Sequence, residues 1–259
     1  MTKIILIHSF RFGTGKSNIT ASLATEIAQQ GRRVGIIDTD LHSPGVLSLF
    51  GCDVDELQPM LNHYLWGKLP IEDIAHDVGG AIKVGSGEVT LLSGRIFLIP
   101  SGPRVGEIAR MLRLGFDLGR LGAGIYELAL KLGLDYLLID THPGINEESL
   151  LMLSLSHTLL LLTDINHQSF QGTAVVLDLA RNLGVPTIYL LINQIPADYD
   201  LKDIRFKAET AFGVPVGGLF PFAKEMLLLA GTGVFSLHYP DHPWSEQIRT
   251  VANLLLKKG

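Results

Sequence analysis

Near the start of the chain runs Ile4-Ile5-Leu6-Ile7-His8-Ser9-Phe10-Arg11-Phe12-Gly13-Thr14-Gly15-Lys16-Ser17-Asn18. Four consecutive apolar residues, rather than alternate ones, read as a strand buried on both faces. From Lys16 onward Ile19, Leu23, Ile27 and the alanines fall on one stripe, which predicts a helix over 16–30. Gly13-Thr14-Gly15-Lys16-Ser17 therefore occupies a strand-to-helix turn, where backbone N–H groups and a helix N-terminus cradle oxyanions. Lys16 can reach β and γ phosphates there, and Ser17 can ligate Mg²⁺. The strict pattern G-x-x-x-x-G-K-[ST] requires glycine at position 10, where this chain has Phe10. The ordinary alternative is a helix N-terminus with a basic first turn.

Working outward, apolar runs of the same kind recur at 34–37, 96–99, 136–139, 159–162, 187–192 and 218–220. Helical spacing fills 118–132, 170–183 and 243–256, and Gly31, Gly133 and Gly184 stand where helices stop. Strand–helix alternation throughout predicts an α/β fold: one doubly wound, mostly parallel sheet with helices on both faces. We read residues 1–259 as a single domain. Residues 53–94 read as an irregular insertion, a short helix and a loop rich in glycine (Gly79, Gly80, Gly85, Gly87).

The composition narrows the class. Of 259 residues, 47% are hydrophobic and 18% charged, which excludes a disordered chain. The single cysteine, Cys52, excludes a disulfide framework and a cysteine zinc site, and fits a reducing compartment. No run of 18 apolar residues exists; the longest, 150–162, is broken by Ser154, Ser156 and His157. The opening residues do not read as a signal peptide. A soluble, cytoplasmic protein without stable membrane insertion is expected. The 21 Lys and Arg against 26 Asp and Glu give a net charge of −5, which argues against a generally basic nucleic-acid coat. The charge is uneven, however. Acids dominate 38–77, and arginines dominate 95–120.

In an open parallel sheet, ligands sit at the carboxyl ends of the strands. Asp38 and Asp40 follow the second run, and there carboxylates can hold metal-bound water or orient an attacking water. A turn or N-cap role is the alternative for one of them. Asp140 closes the fourth long run, and Gly144 just beyond it can offer an N–H to a γ-phosphate. Asn193, after the run at 187–192, can meet a purine edge or serve as a turn residue.

Taken together, the phosphate loop, Ile-Ile-Asp38-Thr-Asp40, Leu-Ile-Asp140-Thr-His-Pro-Gly144, Ile-Asn193 and the Phe-Pro221 turn resemble the ParA/MinD family of deviant Walker-A ATPases. The likeness covers nearly all of the chain, and His-Ser-Phe-Arg at 8–11 resembles cyanobacterial, McdA-type members that space carboxysomes over the nucleoid. The resemblance implies ATP and Mg²⁺ as ligands. It implies Gly13, Thr14 and Gly15 lining the phosphates between Phe12 and Asn18, with Lys16 on the β and γ oxygens. Ser17, Asp38 and Asp140 would hold Mg²⁺, and Asp40 would orient the catalytic water. Asn193 and Pro221 would flank adenine. ATP would close two copies face to face, and hydrolysis, slow and stimulated by an adaptor of the McdB type, would release them. Two departures from K-G-G-x-G-K-[ST] stand out. Arg11 replaces the lysine that reaches the partner's phosphates, and arginine is longer and planar. Phe12 replaces a glycine, which threatens close backbone approach.

For the partner, the arginines Arg104, Arg110 and Arg113, the last two on one helix face, suggest a surface for nonspecific double-stranded DNA, extended by Lys257 and Lys258. A nucleoid-associated location would follow; a plasmid- or chromosome-partition role is a neighbouring reading. A solvated helix face is the ordinary alternative for any one arginine. A MinD-like membrane cycle would use an amphipathic last helix, here ending Leu254-Leu-Leu-Lys-Lys-Gly259. A metal-cluster carrier needs more cysteine than Cys52. His63, His76, His238 and His242 match no zinc spacing. Trp66 and Trp244 can mark partner contacts or core.

Overall fold

The computed structural model describes residues 1–257 except 42, 56, 81, 85–87 and 103. Among the described residues the strands are β1 (Lys3–Ser9), β2 (Arg33–Asp38), β3 (His76–Asp77), β4 (Ile82–Val84), β5 (Glu88–Thr90), β6 (Arg95–Ile99), β7 (Tyr136–Asp140), β8 (Thr158–Thr163), β9 (Thr187–Ile195) and β10 (Val216–Pro221). The helices are α1 (Lys16–Gln29), α2 (Val46–Leu49), α3 (Leu61–Leu65), α4 (Val105–Leu114), α5 (Leu118–Lys131), α6 (Glu147–Leu155), α7 (His167–Asn182), α8 (Leu201–Phe212), α9 (Glu225–Leu229), α10 (Phe235–His238) and α11 (Pro243–Leu256).

Eight strands form one sheet in the order β10-β9-β8-β1-β7-β2-β6-β3. Every pairing in it is parallel except the edge pair β3–β6. The unbroken apolar runs follow from this arrangement. Ile4 and Leu6 point into one core, with Ile125, Leu128 and Val176 from α5 and α7. Ile5 and Ile7 point into the other, with Ile19, Leu23 and Val251 from α1 and α11. A strand covered on both faces has no position for an outward polar residue. The helix stops hold as well: Gly31, Gly133 and Gly184 all take the left-handed conformation, at φ 79°, 56° and 74°.

Residues 53–94 are more ordered than the sequence suggests. They hold α3, a 3-10 turn at Glu72–Ile74, the edge strand β3 and the antiparallel β4–β5 hairpin. Leu61, Tyr64, Leu65, Ile71 and Ile74 from this stretch join the core. Their apolar residues are spaced irregularly, so no periodicity announced them. Gly85 and Gly87 lie outside the described residues. The run at 150–162 divides at Ser156 into the end of α6 and the start of β8. α6 begins with a capping box, in which Asn146 Oδ1 accepts from Ser149 N at 2.7 Å and Ser149 Oγ accepts from Asn146 N at 2.9 Å. α8 is also absent from the sequence reading, because its apolar stripe is thin. Asp200 caps it and Gly213 ends it at φ 63°.

Gly94 lets the loop before β6 lie against α1. A Cβ there would collide with the carbonyl oxygens of Arg32 and Ala28, which are backbone and cannot swing away. Gly94→Ala is therefore expected to lower unfolding stability by about 1–3 kcal/mol, read as a shifted urea midpoint. An unchanged midpoint would mean this contact is not made.

Candidate functional site

Parallel register assembles the site. Asp38 and Asp140 are register partners at the ends of β2 and β7, and Ile7 pairs with Asp140 from the other side. The carboxyl ends of three adjacent central strands therefore converge on the loop that leaves β1. All four strand-end sequences singled out above come to this one edge.

The loop's backbone needs glycine at two places. Gly13 has φ 77° and Gly15 φ 90°, and a Cβ on Gly15 would meet Asn193 Nδ2 at 2.5 Å. Phe12 is not in the left-handed region, so its side chain imposes no backbone strain. Its ring is 66% exposed and stands edge-on to His142 at 5.0 Å between centroids. Gly15 precedes α1 with no side-chain cap, so the first N–H groups of the helix face the loop's interior. Thr14 Oγ1 is buried without a partner, a donor suited to a phosphate oxygen. Asn18 sits half-buried in the first turn of α1.

Around this cradle the charged groups are sunk in protein. Lys16 is 9% exposed and donates to Ser9 Oγ at 3.2 Å. Burial lowers its pKa, opposed by the carboxylates of Asp140, Asp40 and Asp38. Asp140 accepts from Ser17 Oγ at 2.7 Å and from Thr20 Oγ1 at 3.3 Å. Burial pushes Asp140 up to about 6, against the pull of the Ser17 hydrogen bond and of Lys16. Asp38 accepts from the N–H groups of Asp40, Gly45 and Val46 at 3.0, 3.1 and 3.2 Å. Burial, with Asp140 beside it, raises its pKa well above the usual carboxylate range. Asp40 Oδ1 accepts from Ser43 N at 2.9 Å.

This donor set fits magnesium. Ser17, Asp38 and Asp140 offer hard oxygen, and extra positive charge beside them would relieve two carboxylates that burial holds near protonation. Among the described residues no three His, Cys, Asp or Glu form a self-sufficient cage. Of the histidines named above, His63 and His242 approach Glu107 and Glu225, each at 3.6 Å, and His76 meets the Pro59 carbonyl at 2.7 Å.

Several side chains have partners that the sequence did not reveal. Asn193 lies inside β9, 3% exposed, and its amide donates to Thr14 O at 2.8 Å. Its Oδ1 accepts from Trp244 Nε1 at 3.3 Å, so Trp244 belongs to the core and braces the loop. Gln194 Nε2 donates to Gly13 O at 2.7 Å. Gly144 N donates to Ser9 O at 3.0 Å and is not open to a γ-phosphate in this arrangement. Arg11 Nη1 donates to Gln168 Oε1 on α7 at 2.9 Å. Pro221 ends β10, and Phe222 N after it donates to Ile195 O at 2.8 Å. Two buried titratable groups went unread. His8 meets Thr141 Oγ1 at 2.7 Å, and burial, with Lys16 nearby, lowers its pKa to about 3. Glu148, on α6, is raised by burial to about 7. A histidine at a strand end and an acid in a helix's first turn are each common, so neither carried a signal.

The basic residues do not gather into one surface. Arg104 pairs with Asp55 at 2.7 Å, Arg110 stacks over Trp66 at 4.3 Å, and Arg113 is exposed. All three ride on or just before α4, at the carboxyl edge of the sheet. Lys257 follows α11 at the opposite edge, where Lys3 Nζ reaches Leu255 O at 3.4 Å. Lys258 lies outside the described residues. No helix is long and apolar enough to cross a membrane among the described residues. α11 buries Trp244, Ile248, Val251 and Leu255, so its apolar face is committed to the core.

The sheet order and the strand-to-helix loop give the chain the fold of the solved MinD and ParA structures. The family model described as "ParA: NUBPL iron-transfer P-loop NTPase" matches residues 1–114. The chain is similar to an uncharacterized ATP-binding protein of Methanocaldococcus jannaschii, 25% identical over 258 residues, covering 99% of this chain and 88% of that protein. It is also similar to an iron-sulfur cluster carrier protein of the same organism, 29% identical over 199 residues, 74% of this chain. The match spans only 61% of that carrier's length. Among solved structures, septum site-determining protein MinD complexed with Mg-ADP from Pyrococcus horikoshii superposes with a TM-score of 0.80 at 21% identity, covering 100% of this chain and 97% of that one. None of these names carboxysomes or DNA.

The pKa of Glu148 yields a stability prediction. An acid raised from 4.5 to about 7 on folding stabilises the folded chain below pH 4.5 and loses that contribution as pH rises through 7. Glu148→Gln does not titrate. Its stability relative to the unmutated chain should therefore improve by ~3 kcal/mol between these limits, then level off. Parallel denaturation curves across the range would show instead that Glu148 is not held in this surrounding.

Proposed function

We propose that this chain is an ATP-driven switch that binds ATP with Mg²⁺, pairs with a second copy of itself and separates after hydrolysis. The observation that carries the reading is the Ser17–Asp140 hydrogen bond at 2.7 Å beside buried Lys16, with Asp38 at the end of the neighbouring strand and Asp40 just after it. Lys16 and the loop N–H groups would hold the phosphates. Ser17, with Asp38 and Asp140, would hold Mg²⁺, whose contribution is to screen phosphate charge. Asp40 would orient the attacking water. Asn193 and Pro221 would border the purine, with Asn193 also bracing the loop. Arg11 would have to leave Gln168 to reach a partner's phosphates, and Phe12 would lie in that contact.

The finer reading is cargo positioning, carboxysomes included, through an adaptor that stimulates turnover. The α4 arginines of two paired copies would then grip DNA phosphates without sequence choice. The exposed guanidinium of Arg113 and the Arg110–Trp66 stack support it. Lys257, at the other sheet edge, would serve a different surface or none. The second reading, a cluster carrier, is favoured by the names of relatives. Its chemistry is opposed by a single cysteine, Cys52, half-buried with Sγ turned to the Phe50 carbonyl at 3.6 Å. Two copies would bring two thiolates, short of the four that usually hold an iron–sulfur cluster.

Lys16→Ala should abolish ATP binding, whereas Asp40→Ala should keep binding and lose hydrolysis. Normal turnover in the first, or lost binding in the second, would sink these assignments. Gel shifts on random-sequence DNA should show binding with ATP but not ADP, weakening steeply with salt. Equal shifts with both nucleotides, or none, would remove the DNA reading while leaving the ATPase intact.

A further inference from the structure

Phe10 stands where the strict phosphate-loop pattern has glycine. Its backbone does not require one, because Phe10 is not in the left-handed region. Its ring meets α7. A Cβ built on Gly172 would overlap three carbons of that ring, Cγ, Cδ1 and Cε1, the last at 2.6 Å. Carbons in ordinary contact stand about 3.5–4.0 Å apart, so the ring lies in a notch that only glycine leaves open. Gly172 is the sixth residue of α7 and is buried. Glycine in a helix interior is less stable than alanine, so the notch is held open at the helix's own expense.

α7 makes a firm seat. Val176, Leu177 and Ala180 sink it into the core. Gln168, one turn before Gly172, accepts from Arg11 Nη1 at 2.9 Å. Positions four apart share a helix face, so Phe10 and Arg11 grip successive turns of the same face. The grip continues inward. Ser9 Oγ donates to Arg11 O at 2.7 Å, spanning Phe10, and the same Oγ accepts from Lys16 Nζ at 3.2 Å. A ring against backbone has no charge to lose, so this seat does not depend on Arg11 staying with Gln168.

We propose that Phe10 is a positioning residue for the phosphate loop: its ring, seated on Gly172 of α7, fixes the Ser9–Arg11 turn and, through Ser9, the ammonium of Lys16. The glycine of the strict pattern is thus exchanged for a bulky side chain on the loop and a glycine on the helix that receives it. Phe10 acts through Lys16 and not on the phosphates themselves. The proposal rests on the reading of Lys16 as the phosphate-binding lysine.

The test is a double-mutant cycle of F10A and G172A, read by ATP hydrolysis and by thermal melting. Either single change unseats the ring, so each should lower kcat/KM for ATP by about 10- to 100-fold. In the F10A background the notch is empty, and G172A should change kcat/KM by less than about twofold. G172A should also lower the Tm of the unmutated chain but raise that of F10A, where only alanine's better helix propensity acts. An unchanged kcat/KM in either single variant would overturn the proposal, even with the melting reversal, because the contact would then be structural only. So would a loss from G172A of equal size in both backgrounds, which would place its effect in α7 itself. Should G172A not fold, F10A and F10A/G172A carry the comparison: they should match each other and both fall below the unmutated chain. If the unmutated chain hydrolyses no ATP, the ATPase reading itself has failed; the melting cycle then decides the seat alone, and equal shifts in the two backgrounds overturn it.

Discussion

Two carboxylates, Asp38 and Asp140, lie side by side at the ends of adjacent parallel strands, with almost no contact to solvent. Isolated buried charges of like sign are among the most expensive arrangements a protein can hold. Their surroundings are organised to make them tolerable. Three backbone N–H groups converge on Asp38, two hydroxyls converge on Asp140, and the ammonium of Lys16 lies close enough to feel both. The compensation is incomplete, which is why burial still drives both pKa values upward. A site left short of positive charge in this way suits a divalent cation that arrives with its ligand.

The phosphate loop owes its shape to parts of the chain far from it. Asn193 and Gln194, on β9, donate to the carbonyls of Thr14 and Gly13. α7 holds Arg11, and the turn after β7 meets Phe12 through His142 and Ser9 through Gly144. Each tie crosses from one strand's end to another's. The loop is thus braced by β9, α7 and the β7 turn through discrete contacts.

Fold alone does not assign function. The chain is similar to proteins named as iron-sulfur carriers, while iron–sulfur clusters are usually held by thiolates, and Cys52 stands alone in the sequence. Surface charge separates in the same way. Arginines at 104–113 and lysines at 257–258 look additive on paper, but a helix running antiparallel to the sheet carries Lys257 to the edge opposite α4.

Much of this was readable from residues alone. Unbroken apolar runs set the parallel sheet, glycine stops set the helix ends, and the G-T-G-K-S turn with Asp38, Asp40 and Asp140 set the site's composition, because each signal is local: periodicity, φ preference and strand-end position. What local signals do not carry is pairing. The edge strand and hairpin within 53–94, the polar helix α8, the bracing by Asn193 and Trp244 and the buried acid Glu148 all depend on which elements become neighbours. Register put Asp38 beside Asp140, and burial, a property of the assembled fold, then decided their protonation. The sequence by itself determined which groups stand at the carboxyl edge of the sheet; the tertiary structure decided what each one touches there and how much water it keeps.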